Sequence, residues 1–565
     1  MAGRVKIAHL SGPTATVQNT PPLVTSNKAR QKHELPLLTN PDGSPARFDV
    51  LRAQRLAAPV KVYVEQFSAH PLEADAAELY APPDGYLDAA GKFHKERQGA
   101  ADKPVYEIEI RPEDGLYPLP YMAVQANGEA WEEECASFGA PDAKARQGFF
   151  PDGSRSFEEI DRLGIGVDGT GNEISKYADV DFYRILPPGG FRKGLPADRR
   201  ADQGEGDIPE ERRGVNFFPY KPYHLAASPP RPSLARAANM VQEILASGKY
   251  EGAIWTEGSP TNEETLYWLN LLVDTILPIC GNSAQRPQGQ ISNDGPKNIA
   301  DSVAYIHSRV WADEDGRNRA GAVMIQEQRV FAARAVQKGD ARPGGYVATG
   351  GHGGILGASG HDGAPLLHYL PTALHTYKSQ VNITRLPESV SGVRQGADRI
   401  ETMPVTIKKD GKLVDTVIPK VAIVKDSSYG ADDYEPDVER EVDLIATTKY
   451  MLEKTPLAGY VVEGLAPYGS MTSVARTQLM IKAVMSGLPV ARVGRGNAEG
   501  FVPTHDPLFI GGSNLTATKA RILLMASILK LGAYPPAADP DNPTKAEVAA
   551  IHKKVAEYQA LFDSH

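Results

Sequence analysis

The stretch Ala253-Ile-Trp-Thr-Glu-Gly-Ser-Pro-Thr-Asn-Glu-Glu-Thr265 decides how this chain is read. A short apolar run, Ala253-Ile-Trp255, stops at Thr256-Glu-Gly-Ser-Pro260. A helical pattern then opens at Thr261, with Thr261 and Glu264 in the Thr-x-x-Glu spacing of a capping box. A strand that ends in a small-residue turn and feeds a helix is half of a βαβ unit. The next buried strand follows at Leu277-Pro-Ile-Cys280, and upstream Leu234, Ala237, Ala238, Val241, Ile244 and Leu245 recur at helical spacing. In an open parallel sheet, ligands gather at the carboxyl ends of strands, where helix N-termini present their amides. Ser259 stands at such a point.

Working outward, Val323-Met-Ile325 supplies a further strand, and residues 5–10 form a first strand that ends at the turn Ser11-Gly-Pro-Thr14. Residues 404–418 read as a hairpin around Asp410-Gly411, where one domain hands over to the next. Val421-Ala-Ile-Val424, Gly459-Tyr-Val-Val462 and Pro489-Val-Ala-Arg-Val493 are the strands of a second α/β domain, with helices at about 472–486 and 516–530. Between 20 and 215 the chain is rich in Pro, Gly and charge, with strand-like pieces such as Val105-Tyr-Glu-Ile-Glu-Ile110. That region reads as a loop-rich, β-containing insertion without chemistry of its own.

The 565 residues are 41% hydrophobic and 23% charged, ordinary for a soluble globular protein. A net charge of −9 with no basic stripe argues against a nucleic-acid partner. The two cysteines, Cys135 and Cys280, exclude a disulfide framework and a multi-cysteine zinc site, and fit a reducing compartment. The first ten residues have no secretory core, and the longest apolar stretch, Leu269 to Ile279, is broken by Asn270 and Asp274. The expectation is a cytoplasmic protein with no membrane partner.

Three strand ends carry hydroxyls: Ser11 to Thr14, Ser228, and Ser259. On composition alone these are caps and turn residues, positions where Ser and Thr are favoured anyway. Their surroundings say more. Thr256 to Thr265 resembles the signature T-H-G-T-D-T-M-E-E-T of the bacterial-type L-asparaginases. Arg286-Pro287 and Ser292-Asn-Asp-Gly-Pro-Lys-Asn298 resemble that family's R-P and S-A-D-G-P-x-N, and Gly512 to Arg521 its late G-x-L-x-x-x-K-A-R. Glu327 to Lys338, with Val330, Arg334 and Val336, is similar to N-D-x-V-x-x-x-R-x-V-x-K. The motifs are collinear over about 216–565 and include the first strand.

The resemblance implies a two-domain asparaginase-like α/β fold with parallel-sheet domains, plus the insertion. It divides the chain into 1–19 (first strand and nucleophile loop), 20–215 (insertion), 216–400, a linker hairpin at 401–418, and 419–565. The implied activity is hydrolysis of the C–N bond of a small carboxamide or lactam, without a cofactor or metal, by a homotetramer or homodimer. Gly12-Pro13-Thr14 stands where the family has G-G-T, so Thr14 is the implied nucleophile, with Thr16 the alternative. Ser259 is the second hydroxyl and Lys338 the implied base. Ser228 is the implied carboxylate-binding residue; Gly258 and Pro260 line the substrate, with amides near Gly12 and Gly258 as oxyanion donors. A hydroxyl needs a base within hydrogen-bond reach, and a lysine serves when burial and neighbours lower its pKa. The insertion, entering just after the nucleophile loop, is expected near the pocket mouth.

The departures are informative. T-D becomes Ser259-Pro260 and H-G becomes Glu257-Gly258. The missing aspartate implies that L-asparagine is not the physiological substrate. It also leaves open a non-catalytic binding or regulatory protein on the same fold, against which the retention of Thr14, Ser259 and Lys338 together argues. A third reading, a metal-assisted hydrolase, rests on His352, His361 and Asp362 in the glycine-rich stretch 350–363, which otherwise reads as a mobile loop or lid. Gly164 to Gly171 is glycine-rich but lacks a βαβ frame, and reads as a loop.

Overall fold

A computed structural model of the chain describes residues 3–12, 23–25, 43, 60–64, 83–88, 93–110, 116–118, 149–151, 174, 176–184, 231–286, 292, 294–342, 345–349, 352–359, 364–426, 437–466, 468–495 and 506–565. Two compact units emerge. One comprises residues 1–4, 9–229 and 284–300; the other comprises 5–8, 230–283 and 301–565. The described part of the first unit contains an antiparallel sheet in which Lys103–Ile110 pairs with both Val60–Val64 and Gly85–Leu87. The second unit carries residues 256–265, 327–338 and 512–521.

Its first sheet contains β1 (Val5–Ser11, through Ala8 in this unit), β2 (Gly252–Thr256), β3 (Ile279–Asn282), β4 (Val323–Gln326) and β5 (Arg329–Ala332), side by side in that order. Helix α1 (Pro232–Ala246) precedes β2 and α2 (Ser259–Leu272) follows it; later helices are α3 (Gly295–Ser308), α4 (Val442–Lys454), α5 (Val474–Met485) and α6 (Ala517–Leu531). Most of the apolar stripe read from the sequence is the buried face of α1: Ala237, Ala238, Val241, Ile244 and Leu245 are buried, and Leu234 is half-buried. Helix α2 is buried on nearly every side, as a helix packed on both flanks must be, because it lies against α1 and against α6 (Ala517–Leu531). Burying Leu266, Leu269, Leu271 and Leu272 contributes roughly 1.5–3 kcal/mol each. Among its buried polar groups, Trp268 Nε1 donates to the Leu234 carbonyl at 2.9 Å, and Asn270 Oδ1 accepts from the Ala322 N–H at 2.9 Å.

Several expectations are corrected. Helix α2 opens at Ser259, two residues early, with Gly258 as an N-cap that makes no side-chain cap bond. The Thr261/Glu264 capping box does not form. Thr261 is already inside the first turn, its N–H donating to the Gly258 carbonyl at 3.0 Å. Pro260 explains the early start, since its fixed φ suits the first turn and its missing N–H would have no helical partner there. The strand expected at Leu277–Cys280 runs from Ile279 to Asn282, because Pro278 has no N–H to give a ladder. The first sheet is also mixed. β2, β3 and β4 are parallel, but β4 turns back antiparallel into β5 through Glu327 and Gln328, with φ of 49° and 63°.

The Asp410-Gly411 hairpin is present, with φ of 52° and 74°, but its strands are only Lys408–Lys409 and Lys412–Leu413. A longer hairpin, Ser389–Gln395 with Ile400–Thr406, precedes it. Beyond it Lys420–Lys425, Ala458–Gly464, Val490–Gly494 and Ile510–Gly511 form a second, wholly parallel sheet. The expected helices appear at Val474–Met485 and Ala517–Leu531, and α6 packs across this sheet.

Candidate active site

The carboxyl end of β2 and the start of α2 form a turn tied down from below. Thr256 pairs with Asn282, and the Ser283 hydroxyl donates to the Glu257 carbonyl at 2.9 Å. Asn262 Nδ2 donates to the Asn282 carbonyl at 2.6 Å and to Ser283 Oγ at 3.0 Å. Asn282 Nδ2 in turn reaches Ser302 Oγ at 2.9 Å and the Ile325 carbonyl at 3.0 Å. Glu257, 2% exposed, accepts from Trp255 Nε1 at 2.9 Å. One carboxylate oxygen of the glutamate that stands in place of the resembled signature's histidine is thus engaged in the core beneath the turn.

Ser259 and Lys338 meet. Lys338 closes the short strand β6 (Val336–Lys338), and its Nζ donates to Ser259 Oγ. The same lysine's backbone N–H donates to a carboxylate oxygen of Glu263, one helical turn along α2. Strand β7 (Tyr346–Ala348) pairs with β6, placing Tyr346 opposite Lys338, and the Tyr346 hydroxyl donates to the Ser259 carbonyl at 2.6 Å. Ser259 and Lys338 are half-buried, whereas Glu263 is buried. Burial pushes the Glu263 carboxyl pKa up, while nearby Lys519 and the Lys338 N–H pull it back. The serine hydroxyl thus sits at the positive end of a helix with an amine on it, an arrangement suited to moving a proton beside developing negative charge.

Of the other residues singled out from the sequence, Gly258 is the N-cap of α2 and Pro260 is exposed in its first turn. Thr14, Thr16 and Ser228 lie outside the described residues, as do His361, Asp362 and the stretch 152–173. Two residues that brace the site were not marked from the sequence. Glu263 carried a usable signal, since it lies four residues from Ser259 on one helix. Tyr346 carried only a weak one: Gly339 to Gly345 is rich in turn residues, but a loop of that length does not fix which residue of β7 stands opposite Lys338. The late motif also converges here: Arg521 forms an ion pair with Glu264, and Arg334 donates to Asn514 Oδ1 at 2.8 Å.

Residues 231–348, which include Ser259 and Lys338, match the N-terminal domain of the asparaginase family. The chain is 26% identical over 304 residues to the glutaminase-asparaginase of Acinetobacter glutaminasificans, covering 53% of this chain and 76% of that protein. It is 32% identical over 105 residues to L-asparaginase 2 of Bacillus subtilis (strain 168), a match covering 19% of this chain and 26% of the relative. Among solved structures it is similar to a probable cytoplasmic L-asparaginase from Campylobacter jejuni, at 20% identity and a TM-score of 0.45, covering 70% of this chain and 94% of that one.

Proposed function

Because this chain belongs to the asparaginase family, whose named members are hydrolases of C–N bonds other than peptide bonds, we propose that it hydrolyses a small carboxamide or lactam that lacks a free α-amine. The observation that carries this reading is the Lys338 Nζ to Ser259 Oγ hydrogen bond at the N-terminus of α2. In the proposed reaction a neutral Lys338 amine accepts a proton through Ser259 as a threonine hydroxyl, Thr14 or its alternative Thr16, attacks the amide carbon. Amides near Gly12 and Gly258 stabilise the oxyanion. The Lys338 ammonium returns the proton to the leaving nitrogen, which departs as ammonia or an amine. Water then cleaves the acyl-threonine ester, releasing the acid and restoring the hydroxyl. Ser228 is assigned to a carboxylate on the substrate.

The domain borders are proposed at 19, 215, 400 and 418, with catalysis by a homodimer or homotetramer. The test is ammonia release from succinamic acid, glutaramic acid, L-asparagine and L-glutamine, and ring opening of 2-pyrrolidone, by the full chain and by Lys338→Met and Ser259→Ala. Turnover that both substitutions lower by about two decades or more supports the reading. Turnover indifferent to Lys338 overturns it.

A further inference from the structure

Lys519 is the most costly side-chain placement near the site. It is 1% exposed, and it lies in the first turn of α6, the positive end of that helix. A buried ammonium costs several kcal/mol unless strongly bonded, and its position at a helix N-terminus adds to that. Its bonds show what the charge holds. Lys519 Nζ donates to the Glu263 carbonyl, on the helix that begins with Ser259, and at 2.7 Å to the Ala333 carbonyl, in the segment leading to Lys338. It also stands 5.4 Å from the centroid of the Tyr267 ring.

We propose that Lys519 is a positioning residue that fixes the Ser259–Lys338 pair by clamping the two segments carrying it to α6. The inference rests on the function proposed above. Glu263 joins both halves of the clamp, since its carbonyl takes the Lys519 ammonium and its carboxylate takes the Lys338 N–H. The adjacent Arg521–Glu264 ion pair fastens the same turn of α2 to the same turn of α6. Arg334, next to Ala333, is tied to Asn514 just before α6. Burial lowers the Lys519 pKa to about 8, and the Glu263 and Glu264 carboxylates oppose that fall. A cation held so far from water, touching only main-chain carbonyls and a ring, acts through the geometry of what it binds.

The experiment is a double-substitution cycle on the full chain, with succinamic acid as probe and rates normalised to folded protein by circular dichroism. Lys519→Met is expected to lower kcat at least tenfold while KM changes less than threefold. In a Lys338→Met background it should cost less than twofold more, because the geometry it maintains has already lost its purpose. An unchanged kcat per folded molecule, or a full tenfold loss persisting without Lys338, overturns the proposal. So would a loss carried entirely by KM. If Lys519→Met does not fold, Lys519→Arg, which retains a buried cation, takes its place in the cycle. Failure of both to fold assigns the ammonium to the fold itself and overturns the positioning role. A kcat undiminished by Lys338→Met alone defeats the proposed function instead, so the two failures are distinct.

Discussion

Replacing Pro260 by aspartate restores the carboxylate that the family carries after its second hydroxyl, and should turn the enzyme toward substrates with an α-ammonium. Pro260 is exposed in the first turn of α2. Removing a proline that suits its backbone frees the unfolded chain and costs about 0.4–1 kcal/mol. An aspartate in the first turn of a helix returns about 0.3–1 kcal/mol through the dipole. Stability should therefore hardly move. For selectivity, a fully buried unpaired ammonium would lose several kcal/mol, enough for a thousandfold effect. The exposure of Pro260 lets water screen that charge, so the gain from a new carboxylate falls to about 1.5–3 kcal/mol, the range of a hydrogen bond to a charged group. At about 1.4 kcal/mol per decade, that is roughly 10- to 150-fold. The assay compares kcat/KM for L-asparagine and succinamic acid, which differ only in the α-ammonium. The parent should favour succinamic acid, and Pro260→Asp should raise the asparagine-to-succinamic-acid ratio by that factor. Equal use of both by the parent, or a ratio unmoved by the substitution, refutes the argument.

Lys338→Met should lower kcat by about two to four decades, the span of a lost general base, with Tm nearly unchanged; stopped ammonia assays and a thermal melt check both halves. Acid should weaken the fold through His375 and His565, whose burial lowers each pKa to about 4. Both are held neutral in the fold while the unfolded chain takes up protons below about 6.5, so their contribution is complete above that pH and is lost as pH falls toward 4, on the order of 2–3 kcal/mol each. Urea midpoints between pH 7.5 and 4.5 should fall accordingly, less steeply in His375→Gln; an equal slope would exclude His375. Gly281→Ala places a Cβ 2.6 Å from a Leu266 methyl and 3.2 Å from Asn262 Oδ1, beneath the active-site turn. It should cost about 1–3 kcal/mol by overpacking, read as a lowered Tm, and an unchanged Tm would show that Leu266 gives way freely.

What the sequence made legible, and what it did not, divides along a physical line. Ser259 could be found because a strand, a glycine turn and a helix are local events, written within thirteen residues from Ala253 to Thr265. Lys338 could be assigned only through the resemblance of Glu327 to Lys338 to a family motif, since spacing alone reads it as a surface lysine. The start of α2 was misplaced because Thr261 and Glu264 satisfy a capping rule that Pro260 overrides from the position before. The β4–β5 reversal was invisible because its left-handed turn residues are Glu327 and Gln328, where such turns ordinarily announce themselves with Asn or Gly. Tyr346 and Lys519 belong to a different class. Their roles arise from side-chain and main-chain bonds across 87 and 256 positions of chain, distances over which periodicity carries no information. Ser259 and Lys338 lie at element ends, whereas Tyr346 and Lys519 act through bonds between elements. A sequence reading therefore finds the proposed reacting groups before it finds their supports, and Lys519 is the support whose removal tests whether that division also holds for the rate.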